Sequence, residues 1–155
     1  MANEEDTLIR RSPRTGLPLI PKRPPEPSRR CGEAPPPALL TGIAQFNAGQ
    51  FWHCHETLEV LWRGEADPIR SLYQGILLIG VGYYHLERAN VRGAVTKLEQ
   101  GLARLAPFRP SCLGVDVDDL AGAVERALAV LRVPEAEGRR ERLRPPQIRL
   151  VGREA

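Results

Sequence analysis

From Ala38 onward, apolar side chains recur at three- and four-residue intervals, in blocks separated by turn-forming residues. The spacing predicts five helices. Ala38 to Asn47 is the first, with Pro37 suited to its opening turn and Gly49 to its C-terminal cap. Gln50 to Gly64 is the second. Asp67-Pro68 offers an N-cap followed by a first-turn proline, opening a third helix that runs to about Arg88. Asn90 caps a fourth, Val91 to Leu105, which Pro107 and Pro110 close. Asp116 caps a fifth, Val117 to Leu131, where Leu120, Val124, Leu128 and Leu131 repeat at helical spacing. No stretch alternates at period two for more than a few residues, so the expected class is all-α. Short connections favour antiparallel neighbours, and the expected architecture is a compact bundle of five or six helices.

Composition changes the picture at the ends. Nine of the 15 prolines lie before residue 38, a density that neither a helix nor a sheet interior accepts. Residues 1–37 are therefore expected to be a disordered Pro/Arg-rich leader, 38–133 the helical domain, and 134–155 a charged extension that prolongs the fifth helix briefly and ends as an extended tail. The leader reads as solvated chain, with a docking segment or weak phosphate contacts through Arg10, Arg11, Arg29 and Arg30 as the other readings. It holds seven basic and five acidic side chains and the extension six and four, which leaves nine and ten for the domain. The sequence pI of about 9 thus belongs to the ends, and no nucleic-acid surface is predicted on the fold. The start of the chain is acidic and then basic with no apolar core, unlike a signal peptide. The apolar, uncharged run Ser71 to Tyr84 is too short to span a bilayer, so no membrane association is expected. Cys31, Cys54 and Cys112 are odd in number and lack CxxC spacing, which fits reduced thiols in a cytoplasmic protein better than a disulfide scaffold.

The candidate chemistry sits on the second helix. On a helical wheel, Trp52, Glu59 and Trp62 fall within about 60° of His55, with Cys54, Leu58 and Leu61 adjoining. Glu56 stands at the edge of that face, and His53 points away from it as a surface residue. An imidazole and a carboxylate are therefore expected in the middle of a face that two tryptophans should bury. A buried carboxylate without a partner costs several kcal/mol, roughly, so a partner is required. The third helix offers Gln74, Leu78, Val81, His85 and Arg88 on one stripe, and Tyr73, Tyr83 and Tyr84 add hydroxyls. Gly75, Gly80 and Gly82 on the same helix suit close helix approach better than phosphate binding.

Three readings stay open. In the first, His55, Glu59, Gln74, His85 and Arg88 form a buried polar network that sets helix register. In the second, His55, Glu59 and His85 hold a divalent metal such as zinc, and Glu56 acts as general base on a bound water. In the third, a metal-free pocket lined by Trp52, Trp62, Tyr73, Gln74, Tyr84 and Arg88 takes a small-molecule ligand or a partner; a homo-oligomer is left open.

The run Phe46-Asn47-Ala-Gly49-Gln-Phe51-Trp52-His53-Cys54-His55-Glu56-Thr57-Leu58-Glu59-Val60-Leu61-Trp62 strongly resembles the signature of domain-of-unknown-function family 309, an uncharacterised bacterial family. Leu72-Tyr73-Gln74-Gly75-Ile76, Tyr84-His85-Leu86 and Asn90-Val-Arg-Gly93-Ala94 extend the resemblance in order. It implies a compact helical domain and the label of a predicted metal-dependent hydrolase, with His55, Glu56, Glu59, Gln74 and His85 at the family's polar positions. Many relatives carry Glu where this chain has His53. The two functional expectations are thus a metal-dependent hydrolase with its cluster between helices two and three, and a non-enzymatic structural or interaction module whose cluster only fixes packing.

Overall fold

The computed structural model describes residues 24–133 and 143–152; the expectations for 1–23, for the charged stretch 134–142 and for 153–155 lie outside them. Five α-helices account for most of the described chain. Helix α1 (Pro37–Asn47) starts with proline in its first turn. It ends in a Schellman motif, with Gly49 at φ 75°, the Gly49 N–H donating to the Phe46 carbonyl and the Gln50 N–H to that of Gln45. Helix α2 spans Phe51–Arg63 and α3 spans Arg70–Glu87. Asp67-Pro68 does not cap α3 directly. It leads into a tight turn in which the Arg70, Ser71 and Leu72 N–H groups donate three residues back, while the Asp67 carboxylate accepts from the Ile69 N–H at 2.9 Å. The Asn90 side chain accepts from the Gly93 N–H to start α4 (Val91–Leu105), and Asp116 accepts from the Asp119 N–H to start α5 (Val117–Leu131), both as the sequence predicts.

Helix α3 is the axis of the molecule, buried without interruption from Ser71 to Gly80. Each helix packs chiefly on its chain neighbours, so α2 and α4 flank α3, while α1 lies on α2 and α5 on α4. Leu58 of α2 and Leu98 of α4 are both fully buried, each burial being worth about 1.5–3 kcal/mol. Phe46, Phe51 and Tyr83 join α1, α2 and α3 through ring contacts of 5.2–6.4 Å.

Between α4 and α5 lies a feature that the all-helical reading did not include. A short 3-10 turn (Ala106–Phe108) leads into a two-stranded hairpin, β1 (Ser111–Cys112) and β2 (Val115–Asp116). Leu113 and Gly114 connect the strands, both at positive φ, as a tight two-residue hairpin turn requires. Strands of two residues are too short to show a period. Leu113 tolerates φ 49° because its side chain is buried, 1% exposed.

The described ends of the chain are fastened to this hairpin. Residues 143–150 run extended, as expected; Leu150 bridges Val115, and the Asp116 and Val151 N–H groups donate to the Arg149 and Gly114 carbonyls. The Asn47 side chain imitates a strand partner, bonding both the N–H and the C=O of Ile148. At the other end, residues 24–36 contain no helix or strand, in keeping with their prolines, yet they lie along the domain. The Leu113 N–H donates to the Cys31 carbonyl, Ser28 donates to Asp67, and Arg30 to Glu65. Cys31 and Cys112 are joined in a disulfide, which corrects the expectation of three reduced thiols for this pair. The two are 81 residues apart in sequence, and only the hairpin brings Cys112 to the leader. Cys54 is the free thiol among the described cysteines, and it is fully buried as a core residue.

Candidate site on the seam of helices two and three

The residues of α2 that face the core are Phe51, Cys54, Leu58 and Trp62. On the wheel this arc is centred about 60° to one side of His55. His55 and Glu59 therefore lie at the border of the buried face and not in its middle, with side chains 17% and 21% exposed. Trp52, one step further round, is 52% exposed, which corrects the expectation that both tryptophans are buried. Trp62 is buried beneath the Arg70 guanidinium, 4.9 Å from its ring centre. His53 is exposed, as expected, and so is Glu56.

The reason for the rotation lies in the neighbours. Phe51 and Cys54 carry the contacts to the aromatic cluster and to Gly80 of α3, and two-sided packing against α1 and α3 draws that arc inward. The polar pair is left along the seam. His55 Nδ1 is 3.8 Å from Glu59 Oε2, beyond hydrogen-bond range, and it makes no hydrogen bond within the protein although the atom itself is buried. Glu59 is instead taken by Arg63 one turn on, at 2.6 Å.

On α3, Gly75, Ile79 and Gly82 face α4, while Gly80 and Tyr84 face α2. Gln74, Leu78, Val81 and His85 run between these two contact faces, roughly 100° from each, so the shared stripe expected for them is present. Gln74 is 5% exposed, and its Nε2 makes no hydrogen bond within the protein. The Tyr73 hydroxyl is likewise buried without a partner, on the side towards Arg30, Glu65 and Asp67; burial first, and the Glu65 charge second, push its pKa up.

His85 stands apart from the His55–Glu59 pair. Its Nδ1 is 3.4 Å from the Asn90 amide, and its pKa is lowered by burial and then by the charges of Lys97 and Arg88. Among the described residues no group of three or more His, Cys, Asp or Glu is arranged to hold a metal ion. His55, Glu59 and His85, the ligands expected for a zinc ion, form no such group.

What the seam does assemble is an aromatic and cationic row at its outer end. The Trp52 ring stacks on His55 with centroids 5.6 Å apart and leans on Tyr84 at 5.8 Å. Tyr84 carries the Arg88 guanidinium 3.6 Å above its ring centre, and His85 meets its edge at 6.2 Å. Trp52 and Tyr84 were anticipated only as lining residues. Their contact could have been read from the antiparallel register of α2 and α3, which sets the start of one helix against the end of the other.

Residues 39–96, most of α1 to the first turns of α4, match the family described as Domain of unknown function (DUF309), which bears out the resemblance carried by the motifs from Phe46 to Ala94. No curated protein matches the chain. Among the described residues no helix is long and apolar enough to cross a membrane.

Proposed function

We propose that residues 38–133 form a non-enzymatic recognition module that binds a partner through the row Trp52, His55, Tyr84 and Arg88. One observation carries this reading: a half-exposed tryptophan is held in place on both sides, by His55 and by Tyr84, and the Arg88 guanidinium is stacked beside it. Tryptophan, tyrosine and arginine dominate binding energies at interfaces, and rings already packed lose little side-chain freedom on binding. Arg88 is exposed and has no ion pair among the described residues, which suits a partner presenting a carboxylate. The occupant this row fits is a peptide segment with an aromatic or large apolar side chain close to Asp or Glu.

Selection from a peptide display library tests the reading. Wild-type protein is expected to enrich aromatic–acidic peptides, and Trp52→Ala and Arg88→Ala to weaken the best of them at least tenfold, a loss of about 1.4 kcal/mol. Trp52→Ala should leave the melting temperature nearly unchanged, since half of the ring already faces water. Enrichment that survives Trp52→Ala would sink the proposal.

The metal-dependent hydrolase reading, which the family resemblance implies, keeps one favourable observation, the unpartnered Nδ1 of His55 beside Glu59. Calorimetric titration with zinc decides it. Stoichiometric binding abolished by both His55→Ala and Glu59→Gln would replace the recognition reading with the catalytic one.

A further inference from the structure

Residues 24–36 contribute almost nothing to the apolar core. Cys31, itself partly exposed, packs against it, and the Pro35 ring lies beside Gly114 of the hairpin turn. The segment's other described attachments are polar. They are the Leu113 N–H bond to the Cys31 carbonyl at 2.8 Å, Ser28 to Asp67 at 2.6 Å, and Arg30 to Glu65 at 2.9 Å. Hydrogen bonds and ion pairs at a wet surface each contribute little. The covalent bond to Cys112 closes a separation of 81 residues and is the dominant tether.

The two sulfurs are unequally placed. Cys31 is reachable from solvent, whereas Cys112 is 1% exposed and anchored in β1. Cys54 is no competitor, being buried in the core with its thiol pushed up to about 12 by desolvation.

We propose that Cys31–Cys112 is a thiol–disulfide exchange site, a latch that a dithiol reductant opens and a disulfide oxidant closes, and that it holds residues 24–36 against the hairpin and the α2–α3 turn. In opening, a thiolate of the reductant attacks Cys31 Sγ and the Sγ–Sγ bond breaks. Cys112 leaves as thiolate and takes a proton. The second thiol of the reductant then attacks the mixed disulfide, closing the reductant's own disulfide and releasing Cys31 as a thiol. Two electrons and two protons pass to the protein. Closing is the reverse, with the oxidant's disulfide reduced to a dithiol.

Opening has a consequence beneath the segment. Arg30, Glu33, Glu65 and Asp67 act together on Tyr73, whose hydroxyl is buried without a partner. Release of residues 24–36 takes Arg30 and Glu33 from that group and lets water reach the hydroxyl. The latch thereby reaches the face of α3 next to Gln74 and the candidate site.

The test uses the full chain equilibrated in defined ratios of reduced to oxidised dithiothreitol, followed by alkylation and mass spectrometry. Cys31 and Cys112 are expected to change together with one midpoint, while Cys54 stays unlabelled. Hydrogen exchange on the same samples should show the Glu33 and Leu113 amides at least tenfold faster when reduced, with Leu72 to Gly80 changed less than twofold. Cys31→Ser, kept under oxidising conditions, should match the reduced wild type. Three results overturn the latch: no linked Cys31–Cys112 peptide in the oxidised samples, equal exchange in both redox states, or acceleration of α3 in parallel, which makes the bond a staple of the whole fold.

Discussion

The two sides of α3 solve the same packing problem in opposite ways. Towards α4 the contact is dry and close, with Gly75 and Gly101 set backbone to backbone and Gly82 under Leu98 and Ala94. Towards α2 there is more room; a methyl built at Gly80 would meet nothing nearer than 3.7 Å, and the seam is edged by His55, Glu59 and Trp52. A helix pinned by backbone proximity on one side needs no polar network to hold its register. That frees the other side to carry unpaired polar groups and a half-exposed tryptophan, which is where the candidate site sits. The closest packing of α3 is thus against α4, and the candidate site lies along α2.

The largest expected effect breaks the α4 side. A methyl at Gly101 would come 2.7 Å from Ile79 Cγ1 and 3.0 Å from the Gly75 carbonyl oxygen, which is backbone and cannot step aside. Gly101→Ala is expected to destabilise by about 2 kcal/mol in spite of better helix propensity, read as a lower urea midpoint. An unchanged midpoint would mean that the two helices are not in close contact. On the stripe between the two contact faces the sign reverses. Gln74→Leu removes a buried donor that makes no bond within the protein and is expected to be neutral or stabilising by up to about 1 kcal/mol. A loss of more than that would reveal Gln74 as part of the buried network considered at the outset. Gly80→Ala should stabilise by about 0.5–1 kcal/mol, because Phe46 and Cys54 leave room for the methyl and the helix gains propensity. Destabilisation would show that both sides of α3 are equally tight.

The smallest effect is one of pH. His85 has its folded-state pKa below the ordinary 6.5, through burial and then through Lys97 and Arg88. The folded protein thus favours the neutral ring. The contribution is complete above about pH 6.5 and is lost as pH falls through the lowered value. Urea midpoints between pH 8 and 5 should decline less for His85→Gln than for wild type. Parallel curves would show that the ring sits in an ordinary solvated environment, no more shielded on this side of α3 than at the surface.

The expectations that held and those that did not divide by the range of the forces involved. Helix ends were legible because Pro37, Gly49, Asn90 and Asp116 act within a turn of where they stand. Asp67 misled by two residues, since its carboxylate serves Ile69 and Ser28 before the helix begins at Arg70, with Ile69 at its N-cap. The termination of α3 was placed about right, at Arg88, although the left-handed position after it is filled by Ala89 at φ 58° and not by glycine. The unusual setting of the polar residues on α2 was legible from their spacing among apolar neighbours. Their exposure was not, because a wheel gives the relative angles of side chains and leaves the rotation of the helix open.

Among the described residues, sequence alone determined the order of the five helices, the caps at Gly49, Asn90 and Asp116 and the all-α class, all of which follow from neighbours within a few residues. Tertiary structure decided the rest. Packing of Phe51 and Cys54 against α1 and α3 turned α2 by about 60° and put Trp52 into solvent. The register of α3 put His85 where burial, then Lys97 and Arg88, lower its pKa. The hairpin, with strands too short to leave a period, joined Cys112 to Cys31 across 81 residues. Each of these outcomes depends on which surfaces meet, and that is set by the whole chain closing on itself.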